Sequence, residues 1–244
     1  MSFAAGLKRQ LRKALNATGI EVHRFSPGNS HLGRLAACLR EHGVDFVVDV
    51  GANEGQFGRE LRTAGYSGRL LSIEPMTTAY KRLTEASRND KAWMVHPRCA
   101  MGASPGEVEL NIAGNSVSSS VLPMLAEHSN AAPQSIYRGK ETVPLTTLDL
   151  VARKHLGTAQ APFLKIDTQG YEWQVLDGAS YALSVARGVQ LELSLIPLYE
   201  GQKLWLECIS RMENLGFTLW SLEPAFVNPS NGRTLQLDAT FMKV

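Results

Sequence analysis

The residues best suited to chemistry begin where the apolar run Phe46–Val50 stops and a glycine-containing turn leads into a helical pattern. Gly51 and Gly55 bracket this turn, and glycine permits positive φ and lets a ligand touch the backbone. Asn53 stands between them and tolerates a left-handed conformation better than most residues do. The N-terminus of the helix that follows offers unpaired N–H groups, which suit a carboxylate or a phosphate. The turn therefore predicts a small-molecule site.

Glu74 ends the next predicted strand, about twenty residues further on, where nucleotide-binding folds carry an acid. A carboxylate there can accept hydrogen bonds from both hydroxyls of a ribose, each worth roughly 1.5–3 kcal/mol. A dinucleotide fold favours G-x-G-x-x-G, whereas this turn reads G-x-N-x-G and Gly58 falls one residue late. Together the turn and Glu74 predict an adenosine-bearing ligand that need not be NAD. A surface acid before Pro75 is the alternative interpretation of Glu74.

Strands and helices alternate around these residues, and the alternation predicts an α/β fold with a parallel sheet covered on both faces. The predicted strands are "DFVVDV", "GRLLSIEP", "AWMVHPRCAM", "APFLKID" and "GVQLELSLI". Helices are predicted from Thr77 to about Ser87, from about Glu172 to Asp177 and from Lys203 to Leu215. After them "FTLWSLEP" and "LQLDATFMKV" are joined by a "PSNGR" turn, which predicts an antiparallel pair at one edge of the sheet.

The middle region, residues 106–149, is less regular. It predicts one short strand, a serine-rich turn and then polar chain that contains proline. Long loops in a compact α/β domain are commonly functional. This one lies between strands whose carboxyl ends should form a ligand crevice. We therefore expect it to contribute to the site.

Four segments are informative beyond their local patterns: "VVDVGANEGQFGRELRTAGYSGRLLSIEP", "NSVSSSVL", "VPLTTLD" and, most specific, "FLKIDTQGYEWQVLDGA". They resemble the FkbM family of S-adenosylmethionine-dependent methyltransferases. The resemblance implies a Rossmann-like class I methyltransferase fold, with a mostly parallel seven-stranded sheet and an antiparallel C-terminal edge strand. We expect an N-terminal helical segment, residues 1–43, and a methyltransferase domain, residues 44–244. The resemblance also implies O-methylation of hydroxyls on sugars, glycolipids or polyketides.

The family implies S-adenosylmethionine as the cofactor, and its contacts can be carried over by position. The residues at the amino-acid end of this donor would be Asp49, Gly51, Asn53 and Gly55. Glu74 would hold the ribose, and Ala100 and Met101, after the third predicted strand, would pack near the adenine. Class I methyltransferases often place a polar residue near the adenine, and this chain has none there.

A hydroxyl acceptor needs a general base or a metal ion, because its pKa is high. Asp167 ends the fourth predicted strand and is the first candidate for the chemistry; a cap on the following helix is the alternative. Glu192 lies in the next, otherwise apolar strand, and a buried acid must be paired, neutralised or bound to a cation. Asp167 and Glu192 are therefore predicted to converge as oxygen ligands for Mg²⁺, a second candidate cofactor. His128 is a candidate general base, because its ordinary pKa lies near neutrality.

The polar side chains of the serine-rich turn suit a polyol acceptor, and a solvated turn is the alternative. They are Asn115, Ser118, Ser119 and Ser120. The expected activity is O-methyl transfer to a hydroxyl of a sugar or a glycolipid glycan. An NAD-dependent oxidoreductase is the alternative enzyme. A non-catalytic module that binds the donor or a glycan is the third reading.

Composition sets limits on the partners and the compartment. A formal charge of +2 over 244 residues argues against a nucleic-acid partner. The three cysteines, Cys38, Cys99 and Cys208, have no metal-ligand spacing and predict buried thiols in a reducing cytosol. No apolar run approaches the roughly 20 residues of a membrane span, and no signal peptide is apparent. We expect a cytoplasmic protein.

The N-terminus repeats an apolar residue every fourth position from Phe3 to Leu15, with Lys8, Arg9, Arg12 and Lys13 between them. This pattern predicts an amphipathic helix with a basic face. Packing on the domain or on a second subunit, as in a homodimer, is one interpretation. Peripheral contact with the inner face of an anionic membrane is the other. "SHLGRLAACLREHG" predicts a second, capped helix that ends at Gly43.

Overall fold

The computed structural model describes residues 3–243, with the side chains of residues 9–243. The helices, numbered along the chain, are α1 Phe3–Ala17, α2 His31–Glu41, α3 Gln56–Thr63, α4 Thr77–Ser87, α5 Ala126–Ala131, α6 Leu148–His155, α7 Glu172–Asp177, α8 Ser180–Val185 and α9 Trp205–Asn214. The strands are β1 Phe46–Val50, β2 Arg69–Ile73, β3 Trp93–Val95, β4 Ala100–Met101, β5 Gly106–Ala113, β6 Tyr137–Thr146, β7 Pro162–Ile166, β8 Gly188–Ser194, β9 Thr218–Val227 and β10 Thr234–Met242.

Seven of these strands form the main sheet, in the order β3-β2-β1-β7-β8-β10-β9. β1 lies near its centre and pairs in parallel with β2 and β7. β10 is antiparallel to both β8 and β9, so the C-terminal hairpin forms one edge and the last strand lies one position inside it. The expected α/β fold with a mostly parallel seven-stranded sheet is confirmed.

The central strands form because their residues are apolar in a continuous run, which suits a strand buried on both faces. Every residue of β1 and of β7 is buried. Val48 and Val50 point toward the helices α6 to α9, and Val47 points to the opposite face, toward α2, α3 and α4. This two-layer cover leaves the carboxyl ends of the strands as the free edge where a ligand can bind.

The middle region is more regular than predicted. β4, β6 and β5 form a separate three-stranded sheet, whereas the sequence predicted polar, irregular chain after the serine-rich turn. β6 escapes a pattern search because Val143 is its only buried residue. The predicted third strand, "AWMVHPRCAM", is also wrong in its extent. It divides into β3 of the main sheet and β4 of the small one, around Pro97, which has no N–H for a ladder.

α2 is built into the core of the main sheet, although the sequence placed it in the N-terminal segment. Ser30 caps it, since its hydroxyl accepts a hydrogen bond from the Gly33 N–H at 3.2 Å. Cys38 and Leu39 of α2 pack in the same apolar cluster as Phe163 of β7. One end of α2 thereby lies beside the carboxyl ends of the strands.

α1 forms where the amphipathic pattern predicts it, but residues 9–14 are exposed. Leu11 has 61% of its surface exposed. The predicted side chains Phe3, Leu7 and Lys8 lie outside the described side chains. Within residues 3–243, no helix combines the length and apolar character that a bilayer crossing needs.

The three cysteines are buried free thiols, as predicted. Burial raises the pKa of Cys38, Cys99 and Cys208 to about 12. Because the thiolate is the reactive form, these thiols are inert at neutral pH.

Candidate active site

A cavity of about 890 Å³ opens where β1, β2, β7 and β8 end, at the carboxyl edge of the main sheet. Its walls come from the glycine turn after β1, the end of β2, the serine-rich turn, the segment after β7 and one end of α2. Small-molecule sites commonly measure 300–1,000 Å³. The volume therefore suffices for one large ligand or for two ligands side by side.

The glycine turn has the left-handed conformations that its residue types predict. The φ angles of Gly51, Asn53 and Gly55 are 78°, 45° and 82°. A Cβ on Gly51 would lie 2.9 Å from the carbonyl carbon of Asp167 and closer still to its oxygen. Glycine is thus required at residue 51 by the chain's own segment after β7, whether or not a ligand is present. Gly51 and Asn53 line the cavity, whereas Gly55 starts α3 behind the wall.

Glu74 lies at the end of β2 with 5% of its surface exposed. Its Oε2 accepts the Asn53 N–H and its Oε1 accepts the Met76 N–H, each at 2.8 Å. Each carboxylate oxygen has a second lone pair, so Glu74 closes the turn and still offers acceptors to ligand hydroxyls. Burial raises the pKa of Glu74 to about 7.

Asp49 lies one layer behind the cavity wall and is fully buried. Its Oδ2 accepts a hydrogen bond from Ser72 Oγ at 3.3 Å, and Lys165 Nζ lies 3.5 Å from its Oδ1. Burial raises the pKa of Asp49. Asp49 therefore lies behind the residues that line the cavity and contacts Ser72 and Lys165. The family resemblance had implied that Asp49 would lie at the cavity surface, beside the amino-acid end of the donor.

The predicted adenine residues, Ala100 and Met101, form β4 and line the cavity together with Cys99, Ile73 and Leu110. These side chains make an apolar slot beside Glu74. An apolar slot next to a buried acid suits a flat ring attached to a ribose. Such a ring would be held there by stacking and burial.

The serine-rich turn forms a wall, but much of its polar capacity is used within the turn. Asn115 Nδ2 donates to Ser118 Oγ at 3.0 Å, and Ser119 Oγ accepts the Ala113 N–H at 3.0 Å. Asn115, Ser118 and Ser119 line the cavity. Ser120 is buried away from it and donates its hydroxyl to the Gln169 carbonyl at 2.7 Å. The structure thus brings three of the four predicted substrate residues to the cavity.

His128 lines the cavity but is only 2% exposed. Its Nε2 lies 3.2 Å from Ser118 Oγ, and its ring lies 5.1 Å from the rings of Tyr199 and Phe226. Burial lowers the pKa of His128 to about 4. A general base works best with a pKa near the working pH, so this histidine suits a neutral hydrogen-bonding role better than the predicted base role.

Asp167 lies at the end of β7, on the cavity wall. Its Oδ2 accepts a hydrogen bond from Lys165 Nζ at 3.0 Å. Burial opposes the charge on Lys165, but the Asp167 and Asp49 carboxylates outweigh it and raise the Lys165 pKa. Lys165 therefore stays charged and provides a fixed counter-ion for Asp167.

The predicted Mg²⁺ site between Asp167 and Glu192 is not supported. The amide of Gln169 lies between the two acids, and its Nε2 donates to Asp167 Oδ1 at 2.9 Å and to Glu192 Oε2 at 2.7 Å. Over residues 3–243, no group of three or more metal-binding side chains converges. An amide N–H₂ group cannot ligate a cation. The two acids converge as predicted, but on a hydrogen-bond donor.

A family model described as "Methyltransferase FkbM domain" matches residues 49–219, a region that includes the glycine turn, Glu74 and Asp167. The chain belongs to the FkbM methyltransferase family. Methyltransferase sdnD from Sordaria araneosa is 28% identical in an alignment of 160 residues that covers 54% of this chain and 60% of that protein. The FkbM chain thus spans about 60% of the length of this relative.

Solved methyltransferase structures also align with the FkbM chain. The Synechocystis PCC 6803 magnesium protoporphyrin IX methyltransferase with bound SAM aligns at a TM-score of 0.44 and 12% identity, over 86% of this chain and 77% of that one. Aeropyrum pernix fibrillarin with bound S-adenosyl-L-methionine aligns at 0.46 and 9%, over 86% and 74%. Both TM-scores lie below 0.5, so the fold assignment rests on the strand order and the family match.

The sequence did not identify some residues that line the far side of the cavity of this FkbM chain. His31 of α2 lies 3.8 Å from Asp238 of β10, measured from Nε2 to Oδ2. Gln236 Nε2 donates to Glu192 Oε2 at 2.7 Å. An acid inside an apolar strand was the signal that identified Glu192, and Asp238 in "LQLDATF" carries the same signal. No local pattern marks His31, because α2 reaches the cavity only through packing.

Proposed function

We propose that this chain is an S-adenosylmethionine-dependent O-methyltransferase that acts on a hydroxyl of a sugar or a glycolipid glycan. The observation that carries the proposal is a single cavity with two unlike halves. The donor half holds the glycine turn, Glu74 and the apolar slot around Met101. The acceptor half holds Asp167, with further carboxylates beside it.

The donor half fits S-adenosylmethionine by the chemistry of its residues. Glu74 is held by two backbone N–H groups and has lone pairs left for the ribose hydroxyls. Cys99, Ala100 and Met101 would cover the adenine, and the backbone at Gly51 and Asn53 would meet the amino-acid end. When bound, the donor supplies an electrophilic methyl group on a positively charged sulfur.

The acceptor half suits a neutral polyol. Asp167, Glu192 and Asp238 present carboxyl oxygens, which accept hydrogen bonds from hydroxyls. Asp167 would take the proton of the acceptor hydroxyl on a carboxylate oxygen while the hydroxyl oxygen bonds to the methyl carbon, the methyl–sulfur bond breaks and neutral S-adenosylhomocysteine leaves. Alignment of the two reactants in one cavity can account for about 7–11 kcal/mol of rate enhancement. General-base action by Asp167 would add about 10²–10⁴-fold.

Calorimetric titration with S-adenosylhomocysteine and, separately, with NADH tests the donor. Binding of S-adenosylhomocysteine alone supports the proposal, and binding of NADH alone overturns it in favour of hydride transfer. Binding of neither by the folded protein would favour a non-catalytic module. A panel of sugar acceptors with labelled donor then tests transfer. Asp167→Asn should lower kcat at least about a hundredfold while S-adenosylhomocysteine affinity is kept.

We also propose a cytoplasmic location with peripheral contact at an anionic membrane through α1. The described part of α1 exposes Arg9, Arg12 and Lys13 together with Leu11. Basic and apolar side chains exposed on one helix are typical of interfacial helices. Co-sedimentation with vesicles that contain phosphatidylserine, an anionic lipid of the cytoplasmic leaflet, should be lost when the three basic residues are changed to alanine. A wild-type protein that stays in solution, and sediments as a dimer, would favour α1 as a subunit contact.

A further inference from the structure

Three non-glycine residues among those described have positive φ, and all three line the cavity: Asn53, Ser116 and Gln169. Asn53 has a residue type that tolerates this conformation. Gln169, at φ 54°, does not, and such strain persists at functional sites when the surrounding contacts over-determine it. The contacts of Gln169 therefore identify what the strain achieves.

The side-chain amide of Gln169 has no N–H group to spare for a substrate. Its two N–H bonds go to Asp167 Oδ1 at 2.9 Å and to Glu192 Oε2 at 2.7 Å. Its Oε1 accepts the hydroxyl of the fully buried Tyr199 at 2.8 Å. The Tyr199 hydroxyl donates to the amide oxygen and so fixes which way the amide faces. The two acids act in the same direction, because the reversed amide would set its oxygen against two carboxyl groups.

The amide separates two acids that would otherwise face each other. Neighbouring acids share a proton when nothing lies between them. Burial raises the pKa of Glu192 well above its ordinary range, and the charges of Asp167, Glu172 and Asp238 act in the same direction. Other charged or titratable groups facing the pair are Lys165, Asp49 and Tyr199.

We propose that Gln169 is a positioning residue, whose amide holds Asp167 and Glu192 apart and oriented so that Asp167 alone serves as the base. The inference rests on the proposed function, in which Asp167 takes the acceptor proton. Gln169 acts through the acids and does not itself touch the reacting atoms. Tyr199 has a share in the same role, since it orients the amide.

Carbon-13 NMR titration of the labelled carboxyl groups tests the arrangement without turnover. In Gln169→Leu the two acids should be coupled more strongly than in the wild type, and the two steps of their titration should move apart by more than about one further pH unit. Tyr199→Phe should give a smaller change in the same direction. Gln190→Leu is the matched control. It removes another buried amide of the cavity, whose side chain contacts His31. The titration of Asp167 and Glu192 should be unchanged in this variant.

The pH dependence of methyl transfer gives the second readout. In Gln169→Leu the acidic limb of kcat/KM should move to higher pH by about the same shift, with kcat at pH 7 reduced at least tenfold. An unchanged carboxyl titration in the folded variant would overturn the separation of the acids. A lower kcat with an unmoved acidic limb would show a merely structural role. If the wild type binds the donor but transfers no methyl group, the proposed function fails, and the NMR titration still decides whether Gln169 separates the acids.

Discussion

Substitution of Gly51 by alanine tests why the glycine turn needs a glycine at this position. Two costs are expected. The positive φ of 78° costs an alanine about 1–2 kcal/mol. The new Cβ would also overlap the Asp167 carbonyl, which must then move, and overpacking of this kind costs about 1–3 kcal/mol. The sum, about 2–5 kcal/mol, is a large part of the 5–15 kcal/mol that stabilises a typical domain.

Gly65 supplies the matched control. Its φ is 90°, yet a Cβ there would meet nothing within 4 Å. Gly65→Ala should therefore pay the conformational cost alone, about 1–2 kcal/mol. For a chain of this size each kcal/mol lowers Tm by about 2–4 °C. We expect Tm to fall by about 2–8 °C in Gly65→Ala and by about 4–20 °C in Gly51→Ala.

Thermal unfolding without ligand is the decisive assay, because it separates two reasons for the glycine. If Gly51 is required by the segment after β7, the extra loss relative to Gly65→Ala appears in the ligand-free protein. If it is required only so that a donor can approach, the two variants unfold alike and differ only in S-adenosylhomocysteine affinity. Equal Tm values would refute the role assigned to the Asp167 carbonyl. The displaced carbonyl also predicts a loss of activity, since Asp167 moves with it.

Three further predictions concern charge in the cavity. S-adenosylhomocysteine binding should weaken as pH falls below about 7, by up to about tenfold per pH unit. The reason is that the pKa of Glu74 is about 7 and its ionised form accepts hydrogen bonds from the ribose hydroxyls. Calorimetry should show that Glu74→Gln loses this pH dependence. His128, whose folded pKa of about 4 lies below the unfolded value of 6.5, contributes stability that is lost as pH falls through that window. Urea titrations should therefore show the free energy of unfolding of the wild type falling relative to that of His128→Phe by about 2 kcal/mol when the pH is lowered from 7.5 to 5. The absence of this change would contradict a buried neutral histidine. His31→Ala and Asp238→Asn should each raise the acceptor KM about three- to tenfold in steady-state assays, because each removes about one hydrogen bond to the acceptor. The affinity for S-adenosylhomocysteine should be unchanged. A changed donor affinity would contradict the division of the cavity.

The donor half was predictable from sequence because its signals are local. The run Phe46–Val50 is buried and mostly apolar, and a glycine turn leads from it directly into a helix. Glu74 ends the next strand, at the position where nucleotide-binding folds carry an acid. Residue type fixes conformation at these positions, so Asn53 was expected to be left-handed and is.

The acceptor half was only partly predictable because its residues meet through non-local packing. Asp167 and Glu192 were placed together because the carboxyl ends of adjacent parallel strands converge. The amide between them could not be foreseen, since nothing in the sequence marks Gln169 as left-handed. Burial also decides chemistry that residue type leaves open. His128 reaches the cavity as predicted, yet its surroundings lower its pKa far below the value that motivated the base assignment.

The residues that line the cavity also differ in where they lie relative to the family match. The glycine turn, Glu74 and Asp167 fall within the family match, residues 49–219. His31 and Asp238 fall outside it, on α2 and β10, and an ion pair between Arg34 and Glu223 ties α2 to the C-terminal hairpin. A family model records what its members share, so the glycine turn and Asp167 belong to the shared part. We therefore infer that α2 and the hairpin are where this chain sets its choice of acceptor.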